Sequence, residues 1–586
     1  MSVRDEVHAA AESPDVVILG AGINGAALAR ELVLNGASVT VVEADDVASG
    51  TTRWSTRLVH GGLRYLEYGE VGLVRESLAE RARLVRLAPH LVQPLGFYVP
   101  LRGWLGGLRA AAARVLGLDA LARRFTDRRG RGAIAVGLGL RMYDFLARGT
   151  GWPRHRMARA GGEGLPRVDA RRYPLAALYD DARMTLPERF TVELLVDAAR
   201  IAAEKGLPFD VHTRCAARLD DDGRIRLFRA GAEGTRAAAV LAPRAIVNAT
   251  GAWVDRTNRD CLPGTGARRP LVGGTKGSHL VLDHPPLRAA LGARAVYAEA
   301  EDGRPVFVIP FGLRFVLVGT TDLPFAADPA TARADGAEID YLLGVAATLF
   351  PDAAPPQASL VGHYAGVRPL PATAGAPAGI TRRHMLVALE GTPVPAWAIV
   401  GGKLTTCRSL AEEAASRVLG ALGRGVVATS RERALPGASS PARSRELVAA
   451  LAAAAERVGV ERSIATAGGA ASVALFGARA AGILDLASRA EPARRTALLS
   501  PLAGSDLPAA VVPLCLEEEW AESLGDLVER RLVLPLVAPM SVATIRAVAE
   551  EMVLAGRLDA ADVPAEVDAL AAGLVARHGL RFAAPP

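Results

Sequence analysis

The stretch that most restricts the fold runs from Asp15 to Asp46 and reads DVVILGAGINGAALARELVLNGASVTVVEADD. Asp15 to Leu19 is a short apolar run suited to a buried parallel strand. Gly20, Gly22 and Gly25 follow at G-x-G-x-x-G spacing. The first glycine makes a tight turn, the second lets backbone approach a pyrophosphate, and the third lets helix and strand pack closely. The helix that follows points its unpaired N–H groups and positive dipole at that pyrophosphate. Ser38 to Val42 is the second strand, and Glu43 ends it about twenty residues after the glycines, where an acid binds a ribose. The unit predicts an α/β chain with a Rossmann-like dinucleotide-binding domain, and by itself does not choose between NAD and FAD.

At 586 residues the chain exceeds one compact core, so two or three domains are expected. Cys215, Cys261, Cys407 and Cys515 are far apart, which gives no metal-ligand spacing and no disulfide framework and fits a reducing cytoplasm. The N-terminal fifteen residues have no apolar core of a signal peptide, and no run approaches the roughly 18 apolar residues of a membrane span. A soluble or peripheral protein is expected. The net charge of +7 is unevenly spread: between Arg102 and Arg131 eight arginines face only Asp119 and Asp127. No helix-turn-helix, zinc-finger or RNA-binding signature accompanies them, so a nucleic-acid partner ranks last. Trp104 and several leucines are interleaved with these arginines, as in an interfacial helix on an anionic membrane. A solvated basic surface is the alternative.

Later segments favour FAD. AIVNATGAWVD ends a strand in Ala249, Thr250 and Gly251, small residues that let backbone approach a seated dinucleotide. AIVGGKLTTCRSLAEEAA is a strand, a glycine turn and an amphipathic helix; Gly401, Gly402, Thr405 and Thr406 would face the polar edge of an isoalloxazine ring. The expected FAD-binding domain is discontinuous: residues 1–90, 185–265 and 396–420. Period-two alternation in SHLVLDH, PVFVIPF and RFVLVGTTD predicts an antiparallel sheet in a substrate or cap domain, residues 91–184 and 266–395. Residues 421–445 read as a Gly/Ser/Pro/Arg-rich linker and 446–586 as a helical C-terminal domain.

A further cluster, STRLVHGGLRYLE from Ser55 to Glu67, brings His60, Arg64 and Tyr65 close to the first dinucleotide unit. With GAGINGA, this cluster, FVIPF, VGTTD, GVRPL and GGKLTT in order, the chain resembles the FAD-dependent glycerol-3-phosphate dehydrogenases of the aerobic, respiratory type. A weaker likeness continues in FGARAAGIL and EEEWAESLGDLVERR. The resemblance implies oxidation of sn-glycerol 3-phosphate at C2 to dihydroxyacetone phosphate, with hydride passing to flavin N5 and electrons on to a quinone. It implies a cytoplasmic enzyme, peripheral on the inner face of the membrane, with a homodimer as a further expectation. An oxidase using oxygen, or an FAD oxidoreductase of another small substrate, stays open, as does a flavin-binding sensor without turnover. As cofactor contacts it adds Ile23, Asn24, Thr51, Thr52, Ser55, Gly61, Gly62, Lys403 and Leu404, and no metal.

The residue chemistry agrees. A phosphate dianion needs fixed cations, and Arg64 and Arg368 offer planar forks of donors. Tyr65 adds a hydroxyl donor, while Lys276 and Lys403 add charge. Alcohol oxidation needs a general base, and histidine suits. His279, with Arg368 polarising the hydroxyl, is slightly preferred over His60, which then positions the flavin. Two departures from the family pattern stand out: Arg53 and Trp54, where small hydroxyl residues are common, and Pro187, Glu188 and Arg189 after the Asp-Ala-Arg of residues 181–183.

Overall fold

In the computed structural model, which describes residues 13–104, 132–229, 237–265, 269–372, 383–537 and 539–583, the first strand β1 (Val16–Leu19) has no exposed face. Its four apolar residues take parallel neighbours on both edges, Val39–Val42 (β2) on one and Ala245–Asn248 on the other. The full sheet has six strands, in the order 385–389, 396–400, 245–248, β1, β2, 209–212. All pairings are parallel except the edge pair 385–389 with 396–400. Helix α1 (Ile23–Leu34) covers one face with alanines and leucines that leave almost nothing exposed. The strand at 385–389, inside the stretch read as cap, thus pairs into the dinucleotide sheet. Conversely Leu58–Val59, inside the first stretch, pairs with 182–183 of the other sheet.

That second sheet has ten strands and is mainly antiparallel. Its centre is a long pair: β3 (Val272–Leu282) runs against β4 (Leu360–Pro371), with Thr275 opposite Arg368 and His279 opposite Tyr364. β3 is covered on its outer face by helix α3 (Gly336–Leu349), which starts with a capping box between Asp335 and Glu338. Helix α2 (Ala133–Leu146) lies against the sheet through Val136, Leu140 and Tyr143. Of the arginine-rich 102–131, only 102–104 fall within the described residues.

The region after residue 440 is helical, ending in α4 (Val563–His578). Its apolar core is continuous with that of the dinucleotide sheet and its helices. Residues 421–445 lie along the first domain, with Ser430 and Leu435 buried and the Leu435 amide donating to the Leu87 carbonyl. Buried ion pairs cross the same boundary. Arg531 grips both oxygens of Asp46 at 2.7 and 2.8 Å, and Arg189 grips Glu519, with all four side chains fully buried.

Candidate functional site

A cavity of about 1250 Å³ opens between the two sheets. Pockets for one drug-sized ligand run to roughly 1,000 Å³, so this space accommodates a large ligand with a small one beside it.

Its inner end is the glycine turn. Gly20 has φ +102°, open to glycine, and a Cβ there would meet the Ala249 carbonyl at 2.9 Å. Gly25 faces inward instead, where its missing side chain lets α1 rest on the Gly20 carbonyl. Gly22 caps α1 with no side-chain bond, and Thr52 Oγ1 accepts only the Ile23 amide, at 3.1 Å. The rest of the helix N-terminus thus has donors for an anion. Glu43 accepts from the Ala21 amide at 2.8 Å and the Asp45 amide at 3.1 Å, and burial pushes its carboxyl up to about 7. A ribose diol would meet a strong acceptor here. Opposite, Asn24 donates to the Gly401 carbonyl at 3.3 Å, and its buried Oδ1 has no partner among the described residues. Gly402, φ +100°, packs on that same amide. Ala249, Thr250, Gly251, Leu404 and Thr405 also line the cavity, as do Thr51, Ser55 and Gly62. These residues fit a dinucleotide along the whole inner wall.

The hydroxyls here are already engaged with protein. Thr51 donates to the Val367 carbonyl at 2.7 Å, Thr405 Oγ1 accepts the His60 amide at 3.1 Å, and Ser55 Oγ accepts the Arg57 amide at 3.2 Å. Gly61 lies behind the wall, its amide donating to Tyr143 and Asp181. Any side chain there would strike Tyr143.

The middle of the cavity gathers the chemistry. The His279 ring is stacked on Tyr364, with centroids 4.8 Å apart and planes at 22°, and its Nε2 is 2.9 Å from Thr56 Oγ1. Burial, with Arg368 and Arg57 nearby, holds this imidazole well below its ordinary pKa, so it is neutral. Arg368 is held by Asp322 Oδ1 at 3.1 Å, Thr320 Oγ1 at 3.0 Å and the Thr321 carbonyl at 3.3 Å. Gly277 makes room for that guanidinium. The Lys403 ammonium sits 3.8 Å from the centre of the Tyr65 ring. Arg64 lines the same space. His60 also lines it; burial lowers its imidazole to about 4, with Lys403 and Arg81 adding to the shift and Asp181 opposing it.

Lys276 is the correction. Its ammonium bonds Glu338 at 2.7 Å and the Arg333 carbonyl at 2.9 Å, away from the cavity. The cause is strand parity: successive side chains on β3 point to opposite faces. Gly277 and His279 face the cavity, whereas Lys276 and Ser278 face α3 and both reach Glu338. Besides Tyr364, which is stacked on His279, several lining residues escaped sequence reading, among them Thr56, Arg333, Arg577 and His578. Tyr364 lies four residues before Arg368 on one strand, so equal parity was the available signal. The last two lie more than 500 residues from Thr56 and carried none.

The comparisons accord with this geometry. The model of the FAD dependent oxidoreductase family matches residues 15–408. A glycerol-3-phosphate dehydrogenase of Synechocystis is 33% identical over 539 residues, which cover 89% of each chain. The aerobic glycerol-3-phosphate dehydrogenase of Escherichia coli K12 is 33% identical over 433 residues, 73% of this chain and 77% of that one. Among solved structures, a glycerol-3-phosphate dehydrogenase from Bacillus halodurans complexed with FAD superposes with a TM-score of 0.67 at 20% identity, covering 96% of this chain and 95% of that one.

Proposed function

Because this chain belongs to the FAD-dependent oxidoreductases, and within them to the glycerol-3-phosphate dehydrogenases, we propose that it oxidises sn-glycerol 3-phosphate at C2 to dihydroxyacetone phosphate, with FAD as its cofactor. The observation that carries this reading is the meeting of a buried neutral imidazole with Arg64, Arg368 and Lys403 beside a dinucleotide cradle.

Gly20, Gly22, Asn24, Glu43, Gly251 and Gly402 would hold FAD, and bound FAD supplies the hydride acceptor. The chain's own groups do the rest. Arg64 and Lys403 draw the phosphate dianion into the cavity, with the Tyr65 hydroxyl as a further donor. Arg368, oriented by Asp322 and Thr320, polarises the C2 hydroxyl oxygen. His279 accepts the hydroxyl proton where its Nε2 meets Thr56. A buried neutral imidazole is in its accepting form throughout the neutral range, and its low pKa favours later release of that proton. His60, tethered through its amide to Thr405, orients the ring-binding segment. A substrate with a carboxylate or an amine would not call for so many cations.

For the electron acceptor we favour a quinone reached from a membrane surface. Ile134, Leu138, Met142 and Phe145 recur along one exposed face of α2, beside exposed Trp104 and flanked by Arg141 and Arg148. An apolar stripe with basic borders suits an anionic leaflet. One helical stretch among the described residues, Arg462–Arg489, is long and apolar enough to span a membrane, and half of it is buried within the protein.

Anaerobic titration of the flavin-loaded protein with glycerol 3-phosphate tests the substrate. We expect the flavin absorbance to bleach, and glycerol without phosphate to leave it intact. Retained colour with glycerol 3-phosphate would refute the reading. Quinone-dye reduction against peroxide release in air then decides the acceptor.

A further inference from the structure

Arg53 and Trp54 depart from the family pattern, and both face the C-terminal domain. Arg53 is 6% exposed and bonds Glu529 at 2.8 Å, while Glu529 accepts Arg577 at 3.0 Å through its other oxygen. The same Arg53 guanidinium lies 3.9 Å above the Trp54 ring. His578, at the end of α4, lies against Trp54 with centroids 4.8 Å apart, and Trp54 meets Tyr364 at 5.5 Å. Tyr364 in turn is the ring stacked on His279. Four rings therefore join the C-terminal helix to the imidazole of the reaction.

The backbone follows the same path. His578 Nδ1 is 3.2 Å from the His363 carbonyl, and the Arg581 amide donates to the Val361 carbonyl at 3.0 Å. Arg581 also donates through its side chain to the Ala358 carbonyl at 2.8 Å. The end of the chain thus straps the beginning of β4, the strand that carries Tyr364 and Arg368. Gly366 has no side chain where Trp54 comes down, its Cβ position being 2.6 Å from Trp54 Cβ. Trp54 is confined between β4 and the C-terminal domain.

We propose that the C-terminal domain positions the reacting imidazole: His578 and the Arg53–Glu529–Arg577 cluster press Trp54 on Tyr364, and Tyr364 sets the plane of His279 toward Thr56. This rests on His279 as the proton acceptor. His578 itself is a positioning residue, acting through two other rings. Small displacements of a reacting group are costly in rate, about a hundredfold for 1 Å. Relaxing a stack two rings away should cost a fraction of that.

The test uses the full-length flavin-loaded enzyme with glycerol 3-phosphate. For His578→Ala we expect kcat to fall about tenfold while KM stays within about twofold and flavin content is unchanged. His578→Phe keeps a ring at the same place and should return kcat to within about twofold of the parent. An unchanged kcat in His578→Ala, no recovery in His578→Phe, or a loss of kcat matched by loss of flavin would each overturn the proposal. His279→Ala separates the premise: turnover that survives it refutes the proton-acceptor reading itself. A dead His279→Ala beside a silent His578→Ala overturns only the positioning role.

Discussion

Arg368 and Lys276 are cations one register apart on paired strands, Thr275 facing Arg368 and Lys276 facing Val367, yet Arg368 lines the cavity and Lys276 turns to Glu338. Replacing Arg368 by Ala removes a guanidinium that Asp322 and Thr320 aim into the cavity. Losing one partner of a buried, hydrogen-bonded charge pair costs about 2–5 kcal/mol. The Arg368 side chain is about one-quarter exposed, so the lower half of that range applies. About 3 kcal/mol corresponds to a factor of roughly 150 in kcat/KM at about 1.4 kcal/mol per tenfold. Flavin content should be unaffected, because Asp322, Thr320 and the Thr321 carbonyl hold Arg368 on the second sheet. Replacing Lys276 by Met should do the reverse. It leaves Glu338 buried without its ammonium, costing on the order of 3 kcal/mol of stability, while kcat/KM of the folded enzyme stays within about threefold. Steady-state kinetics normalised to bound flavin, alongside thermal unfolding, reads both. Equal losses of kcat/KM in the two variants would refute the parity argument. Flavin lost in proportion to activity in Arg368→Ala would move that arginine to the cofactor.

Glu519→Gln should destabilise the protein by about 3 kcal/mol in urea unfolding, because Arg189 is left buried with its charge uncompensated, while Arg479 keeps Glu518 at 2.8 Å; Trp520 fluorescence reports it locally. Burial alone would raise the Glu519 carboxyl, but Arg189 and Arg479 bring it down to about 2, and Glu529 is likewise held at about 2, with Arg53 the largest opposing influence. These depressed carboxylates stabilise the fold fully above their unfolded pKa near 4.5 and lose that contribution as pH falls through about 2. Unfolding measured across this window should therefore steepen in the parent and flatten in Glu519→Gln; parallel curves would contradict the assignment. Gly25→Ala drives a methyl into the Gly20 carbonyl and should yield folded protein with most of its flavin lost, seen as a fall in the visible-to-ultraviolet absorbance ratio.

The first βαβ unit could be read directly because its glycines encode backbone geometry, and backbone geometry is local. The same holds for the turn at Gly401 and Gly402, where positive φ and close packing on Asn24 leave little choice of residue. Alternation in SHLVLDH marks a strand equally well, but not its facing. Most of β3 is buried on both sides, between the cavity and α3, so polarity does not distinguish the parity of Lys276 from that of His279. That is why the His279 imidazole lines the cavity while the neighbouring ammonium does not. Resolving it needed α3 in place, with Glu338 waiting on the outer face.

What escaped the sequence most completely is charge pairing at long range. Asp46 ends EADD and is fully buried between Arg530 and Arg531. The two departures from the family pattern behave in the same way. Arg53 reaches Glu529, and in the second departure Pro187 starts a helix whose Glu188 holds Arg57 and whose Arg189 holds Glu519. Three buried cations in or beside the first domain thus have their carboxylates in, or are fixed by residues next to, the C-terminal domain. Ion pairs have no sequence period, so neither end announces the other. Without the C-terminal domain Arg53 and Arg189 would be buried cations lacking their counter-charges, at several kcal/mol each. Arg53 and Arg189, which look anomalous beside the flavin segment, therefore meet their counter-charges in the C-terminal helical region, and Trp54 between them and the second sheet packs directly on the strand that carries Tyr364 and Arg368.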